Sequence, residues 1–557
     1  MKTNTTTWLN RKKNTAMSIH QFFLLFCFVL SLFSCQNKPA ETKHSGSQLG
    51  ELQFEASGSP AAQPYFEKAM LLLHSFEYED ARTEFLKAQE IDPDFAMAYW
   101  GEAMTYHHSI WQRQEYDKGR AALEKLGPSP AERLAKAPTE IERSFLQAVE
   151  ILFGEGGKFE RDKAYAEFMA KLYDRHPGHH EVAAFYALSL LGSVPVGRDA
   201  EVYGQSARIA EGILRENARH PGALHYLIHS YDDPYHAELA KGAADRYAKT
   251  APDAAHALHM PSHIYLALGL WDEVVASNEA SYAASVGRME RMGLDHDARS
   301  YHAFHWLLYG YLQQGRVEDA RRILEEMIEY TAELPSKQAR AYLARMLANY
   351  AAETGDYTGL YSEENLDLSG LNISHQAAAH FLQGMKAYRQ GQGERLDAII
   401  SEMGVARQQA AMSVTNEGVP MCSAAGSYGA PNRLDVDHAH VMELELQALS
   451  ALLRHNKPAA ERFFKQAIEL ENNTSYAYGP PEIAKPSYEL YGDWLLEQER
   501  YEEALLRFTQ SLSRAPKRLQ ALEGRLKAAR ALQQMDLVQE IEADLAEIQA
   551  KAAAQLL

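Results

Sequence analysis

The chain has 557 residues, 46% of them hydrophobic and 24% charged, and a net charge of −19. That length exceeds what one compact core supports and asks for several domains or a repeat architecture. The acidic balance, with no basic block interleaved with aromatics, argues against nucleic acid as a partner.

In chain order, Arg11, Lys12 and Lys13 precede an apolar run, Phe22 to Phe33, that ends Leu32-Phe33-Ser34-Cys35. A basic start, a short apolar segment and a small residue make a secretory signal. The run is twelve residues long, short of the ~18 that a spanning helix needs. Residues 1–34 are therefore expected to be a signal peptide, with Met17 as an alternative start. The Leu-x-Ser-Cys ending resembles a bacterial lipobox, which implies lipidation of Cys35 and a membrane-anchored place in the bacterial cell envelope, periplasmic or surface-exposed. Cys422 is then the one free thiol of the mature chain, and packing rather than disulfides must hold the fold. Residues 35–60, with Ser45-Gly-Ser47 and Ser57-Gly-Ser-Pro60, read as a flexible tether.

Helical repeats follow. Ala81-x3-Phe85, Ala88 and Pro93 have the Ala…Phe…Pro spacing of a helix–turn–helix repeat, and Tyr488-x2-Tyr491-Gly492-x2-Leu495 with Ala504-x3-Phe508 and Pro516 repeats it near the end. Gly315 with Ala320-x3-Leu324, and Gly269 with Val274 and Asn278, mark two units between them. The expected division is a solenoid over 61–350, an irregular helical and loop-rich segment over 351–440, and further repeats over 441–557. The middle segment is assigned from Gly355, Gly359, Gly370 and the Gly/Pro-rich stretch 414–437.

The clearest periodic signal is a ladder of histidines. His225 and His229 recur as His259 and His263, an interval of 34 residues that equals one tetratricopeptide unit. The segments Ala96-Met-Ala-Tyr-Trp-Gly101, His259-Met-Pro-Ser-His263 and Lys485-Pro-Ser-Tyr-Glu-Leu-Tyr-Gly492 resemble a family of bacterial tetratricopeptide (TPR) lipoproteins. Tyr301-His-Ala-Phe-His-Trp306 is similar to the tetratricopeptide protein 38 group. The resemblance spans most of residues 65–535. It implies an all-α, TPR-type α-solenoid, a right-handed superhelix of helical hairpins, and gives no activity.

Phasing the repeats places His225, His259 and His305 at one position of the first helix, His229, His263 and Tyr309 at a second, and His256 and His302 at a third. By the resemblance, these positions line the concave groove, and Glu489 and Asp493 take the first two in the last clear repeat. Spacings of three, four and seven keep such side chains on one stripe of a helix. Three readings compete: mutual hydrogen bonding within the groove, recognition of a protein or peptide partner, and a transition metal. His225, His229, His259 and His263 are the metal candidates, because imidazoles at i and i+4 can bind one ion. The leading expectation is a non-catalytic scaffold for a protein or peptide partner, without a cofactor. The alternative is a zinc or copper protein, or a metal-dependent hydrolase drawing a carboxylate from Asp232, Asp233, Asp295 or Asp297. No His-Glu-x2-His, phosphate loop or Gly-x-Ser-x-Gly element is present. Pro261, between His259 and His263, predicts a kink or a fresh helix start there. Asp435 and Asp437, beside His438 and His440, are expected to cap a helix rather than bind metal.

Overall fold

The computed structural model describes residues 48–358, 366–414, 430–476 and 479–555. The signal segment, the lipidation site Cys35, residues 36–47 of the expected tether and Cys422 lie outside those residues. Among the described residues no helix is long and apolar enough to cross a membrane.

The chain is an all-α solenoid in which successive helices pack on their sequence neighbours. The repeat motif explains why. Helices Gln63–His74 and Tyr78–Ile91 form the first hairpin, and Ala81 and Phe85 point into it, fully buried. The Phe85 ring fills the space above Gly101 in the next helix, Ala96–Met104, where a Cβ would stand 2.2 Å from the ring. Phe508 of helix Tyr501–Arg514 sits between Gly492 and Gly524 in the same way, 2.8 and 2.3 Å from their would-be Cβ atoms. Glycines of the helices on either side thus seat the Phe of the motif. A short antiparallel ribbon, His107–His108 with Arg113–Gln114, interrupts the helices.

Two expected boundaries are corrected. Residues 48–60, expected as the end of a flexible tether, lie extended against the repeats. Leu49 and Phe54 are buried, the Phe54 ring meets Phe66 and Phe145 at 5.7 and 5.4 Å, and the Glu51 amide donates to the Arg219 carbonyl at 3.0 Å. Two apolar side chains outweigh a Ser/Gly-rich composition because each buries its full area. The segment 351–440, expected to be irregular, helical and loop-rich, contains the regular hairpin Ile373–Arg389 and Gly393–Met412, which packs on Lys337–Thr354 and Arg433–Leu453. One apolar core runs from Ala348 to Ala528 across the boundary expected at 440.

The last repeats also pack on the middle ones. Leu522, Leu526, Val538 and Ile541 share a core with Trp271 and Tyr309, and the Trp271 indole donates to the Lys517 carbonyl at 2.9 Å. Arg518, fully buried, donates to the Tyr309 hydroxyl and to Glu489 at 2.5 Å each and pairs with Glu353 at 2.5 Å. Residues 479–482 cross the same interior. Gly479, at φ +144°, leaves room for Trp306, and the Asn349 amide donates to the Pro481 carbonyl at 3.3 Å.

Candidate metal centre

Three segments carry the ladder: Pro221–Ser230, the pair Ala255–His259 and Pro261–Leu268, and Tyr301–Gln313. His220 starts the first by accepting the Ala223 amide, with Pro221 at the first helical position, where its missing N–H costs nothing. Pro261 does interrupt the second as expected, but Met260 keeps helical angles (φ −54°, ψ −36°), so the chain continues in nearly the same direction. His259 and His263 therefore still face each other.

The histidines gather into two triads. In the first, Nε2 of His225 lies 3.1 Å from Nε2 of His229 and 3.2 Å from Nε2 of His256. In the second, Nε2 of His259 lies 3.1 Å from Nε2 of His263 and 3.0 Å from Nε2 of His302. Each triad brings its three ligand atoms within 4.8 Å of one another. The triads are neighbours: the rings of His229 and His263 are 5.9 Å apart, and those of His256 and His259 are 6.3 Å apart. His225, His229, His259 and His263 are no more than 2% exposed.

Hydrogen bonds on the outer ring nitrogens fix which way the lone pairs point. Nδ1 of His263 donates to Oδ2 of Asp232 at 2.6 Å, and Nδ1 of His225 donates to the His74 carbonyl at 2.8 Å. Nδ1 of His259 donates to Oδ1 of Asn278 at 2.7 Å, and the Asn278 amide is oriented by donating to the Val274 carbonyl. A neutral imidazole that donates through Nδ1 carries its lone pair on Nε2. His259 and His263 thus aim two lone pairs at each other. Burial also holds His225, His229, His256 and His302 well below the ordinary imidazole value, and brings His259 down to about 3.

Aromatic rings wall the centre. Phe76 stands edge-on to His225 at 4.3 Å, and Trp306 covers His263 and His259 at 4.6 and 4.9 Å. One side opens. A cleft of about 450 Å³ is lined by His256 from the first triad, His259 and His302 from the second, and the rings of Tyr78, Trp111 and Tyr342. Glu77, also on the cleft, accepts the His256 amide at 2.9 Å, and burial pushes its carboxyl up to about 7.

Of the positions expected from the sequence, His225, His229, His256, His259, His263 and His302 come together. His256, His259 and His302 border the cleft, whereas His225, His229 and His263 are buried behind them. His305 lies apart, its Nε2 donating to Asn349 at 2.7 Å. Tyr309 and Glu489 belong to the Arg518 network, and Asp493, partly exposed, pairs with Lys485 at 2.9 Å. Of the candidate carboxylates, Asp232 sits behind His263 and Asp233 pairs with Arg198 and His236. Asp295 caps the short turn His296–Ala298, and Asp297 accepts from Ser336. Asp435 completes a capping box with Asn432, and Asp437 pairs with Arg433.

A third histidine cluster had no repeat signal in the sequence. His74 and His220 both donate through Nε2 to the fully buried Glu181, at 2.6 and 3.0 Å. His220 accepts the Ala223 amide on Nδ1, and His74 meets the Tyr226 hydroxyl at 2.8 Å. This cluster also brings three ligand atoms within 4.8 Å of one another, but each of its imidazole Nε2 atoms is taken up by the Glu181 carboxylate. Its part is to seat His74, whose carbonyl orients His225.

No protein-family model matches the chain, and no curated protein does. Among solved structures the chain is similar to yeast Tom70, at 10% identity over 86% of this chain and 92% of that one (TM-score 0.32). It is also similar to human IFIT1 in a dimer with m7Gppp-AAAA, at 10% identity over 83% and 89% (TM-score 0.34). A third likeness is to Cut9 with Hcn1 of the APC/C, at 13% identity over 88% of this chain and 93% of that one (TM-score 0.23). Likenesses this slight carry no inference about what this chain binds.

Proposed function

We propose that this protein binds a transition metal of the kind imidazole prefers, copper or zinc, in the histidine triads at the base of the cleft. The observation that carries the reading is the His259–His263 pair: both outer nitrogens donate, and the two Nε2 lone pairs stand 3.1 Å apart in a buried site. Two facing lone pairs repel unless a cation lies between them. A tetrahedral ion with bonds of 2.0–2.1 Å sets its nitrogen ligands about 3.3 Å apart. The spacings of 3.0–3.2 Å from His225 to its two partners and from His259 to its two partners are close to that value. The outer partners Asp232, Asn278 and the His74 carbonyl are what metal-bound histidines use to fix tautomer and orientation.

A peptide groove built on these histidines has only His256, His259 and His302 along the cleft, since the other three are buried. A solenoid still has outer surface for a protein partner, and that part of the reading rests on the architecture alone. The cell-envelope setting rests on the segment Arg11–Cys35 alone. The test is metal content. The mature chain, purified without a histidine tag after growth in zinc- and copper-supplemented medium, is expected to hold at least one equivalent by mass spectrometry. Less than about one tenth of an equivalent, in protein whose helical signal is intact, sinks the reading.

A further inference from the structure

We infer that the two triads are halves of a single dinuclear copper centre, one ion in each, sharing a small ligand that arrives through the cleft. This rests on the metal-binding reading above and goes further in number, kind and arrangement of ions.

The juxtaposition supports it first. The triads are not separate sites along the superhelix: His229 faces His263 across 5.9 Å between ring centres, and His256 faces His259 across 6.3 Å. In both triads the converging atoms are Nε2. Two-metal sites set their ions roughly 3.5–4 Å apart and share a bridging oxygen. The cleft touches both halves, reaching His256 on one side and His259 and His302 on the other, so a bridging water, hydroxide or dioxygen has a route to the space between them.

The donor set then selects the metal. All six ligands are neutral imidazoles, and none is a carboxylate or thiolate. Asp232 is committed to Nδ1 of His263, and Glu77 to the His256 amide. Two divalent ions would place four positive charges in a buried site whose donors are all neutral, with Asp232 behind His263 offsetting only part of them, and burying net charge is costly. Copper(I) halves that charge and is satisfied by three nitrogen donors. Among divalent ions copper also binds nitrogen ligands most tightly.

The test uses the tag-free mature chain freed of metal, titrated with copper(I) under anaerobic conditions against a chromophoric chelator, then oxidised and examined by electron paramagnetic resonance. The expected result is two copper ions per chain and, after oxidation, a spin count far below the copper content, because paired copper(II) ions couple through the shared ligand. His229→Leu, in the first triad, is expected to bind one copper and give one full spin. One copper per chain in the unsubstituted protein overturns the dinuclear centre and leaves the metal-binding reading standing. Two coppers with two full spins show independent sites and overturn it as well. Zinc(II) retained at two per chain against equimolar copper(I) overturns the choice of metal. No copper and no zinc bound overturns both readings.

Discussion

Replacing Asp232 by Asn tests whether the partners behind the triads tune the metal. Asp232 and His263 are both buried, and the Nδ1–Oδ2 contact is 2.6 Å, a charge-assisted bond. Asn keeps an oxygen in place to accept the same proton, so the ring stays oriented and Nε2 stays a lone pair. What it removes is the negative charge that makes the imidazole a stronger donor and offsets the ion's charge. Losing such a partner typically weakens metal binding about 10–100-fold, or roughly 1.4–2.8 kcal/mol at 1.4 kcal/mol per tenfold. The assay is competition with a chelator at fixed pH, with thermal melting of the metal-free proteins alongside to separate affinity from fold. Asp232→Ala should weaken binding further, because the ring then loses its orientation too. An Asp232→Asn protein that folds normally and binds metal within threefold of the parent refutes the reasoning.

Other substitutions probe the frame around the centre. Arg518→Met leaves Glu489 and Glu353 buried beside an uncharged chain, and breaking a buried ion pair from one side costs about 3–5 kcal/mol. Urea melts should show that loss at neutral pH, and adding Glu489→Gln should restore part of it; strict additivity would mean the network is not coupled. Glu445 is buried and accepts from Ser487 at 2.7 Å, and burial raises its carboxyl well above the usual range. The folded state therefore holds a proton there that the unfolded chain gives up, and stability is lost as pH rises above about 4.5, the ordinary glutamate value. Glu445→Gln should raise the melting temperature at pH 8 and leave it unchanged below pH 4. Glu181→Leu removes the acceptor that holds His74 and His220, and should disorder the carbonyl that seats His225; hydrogen exchange over 221–230 should rise more than over 301–313.

How much of this could be read from the sequence depended on whether a contact was local or closed by the superhelix. The 34-residue interval located His225, His229, His259 and His263 because i,i+4 neighbours on one helix must share a face whatever the tertiary fold. His256 and His302 had the right repeat position, but the histidines they meet lie on other segments, 31 and 43 residues away. His302 meets His259 from 43 residues away, on a neighbouring segment, so only packing makes it the third ligand. The same logic misplaced Tyr309 and Glu489. Their register pointed to a groove, yet Arg518, 209 residues from Tyr309, carries the chain end back over that interior. Residues 48–60 were misread for a different reason. Composition averages over a segment, whereas two apolar side chains, Leu49 and Phe54, decide whether it docks.

The solenoid's closure also accounts for why imidazole is the donor. An open concave surface is wet and tolerates carboxylates, whereas this one is sealed by Phe76, Trp306 and residues 479–482. Sealing raises the cost of any fixed charge on the inner helices. Where carboxylates do occur inside, as at Glu181, Glu353 and Glu489, each is paired with histidine or arginine donors. Neutral nitrogen donors are the ligands this interior can carry empty. The repeat multiplies them by placing the same His-x3-His pair on successive turns of the superhelix, and the cleft beside His256 and His302 leaves the pair of triads reachable on one side.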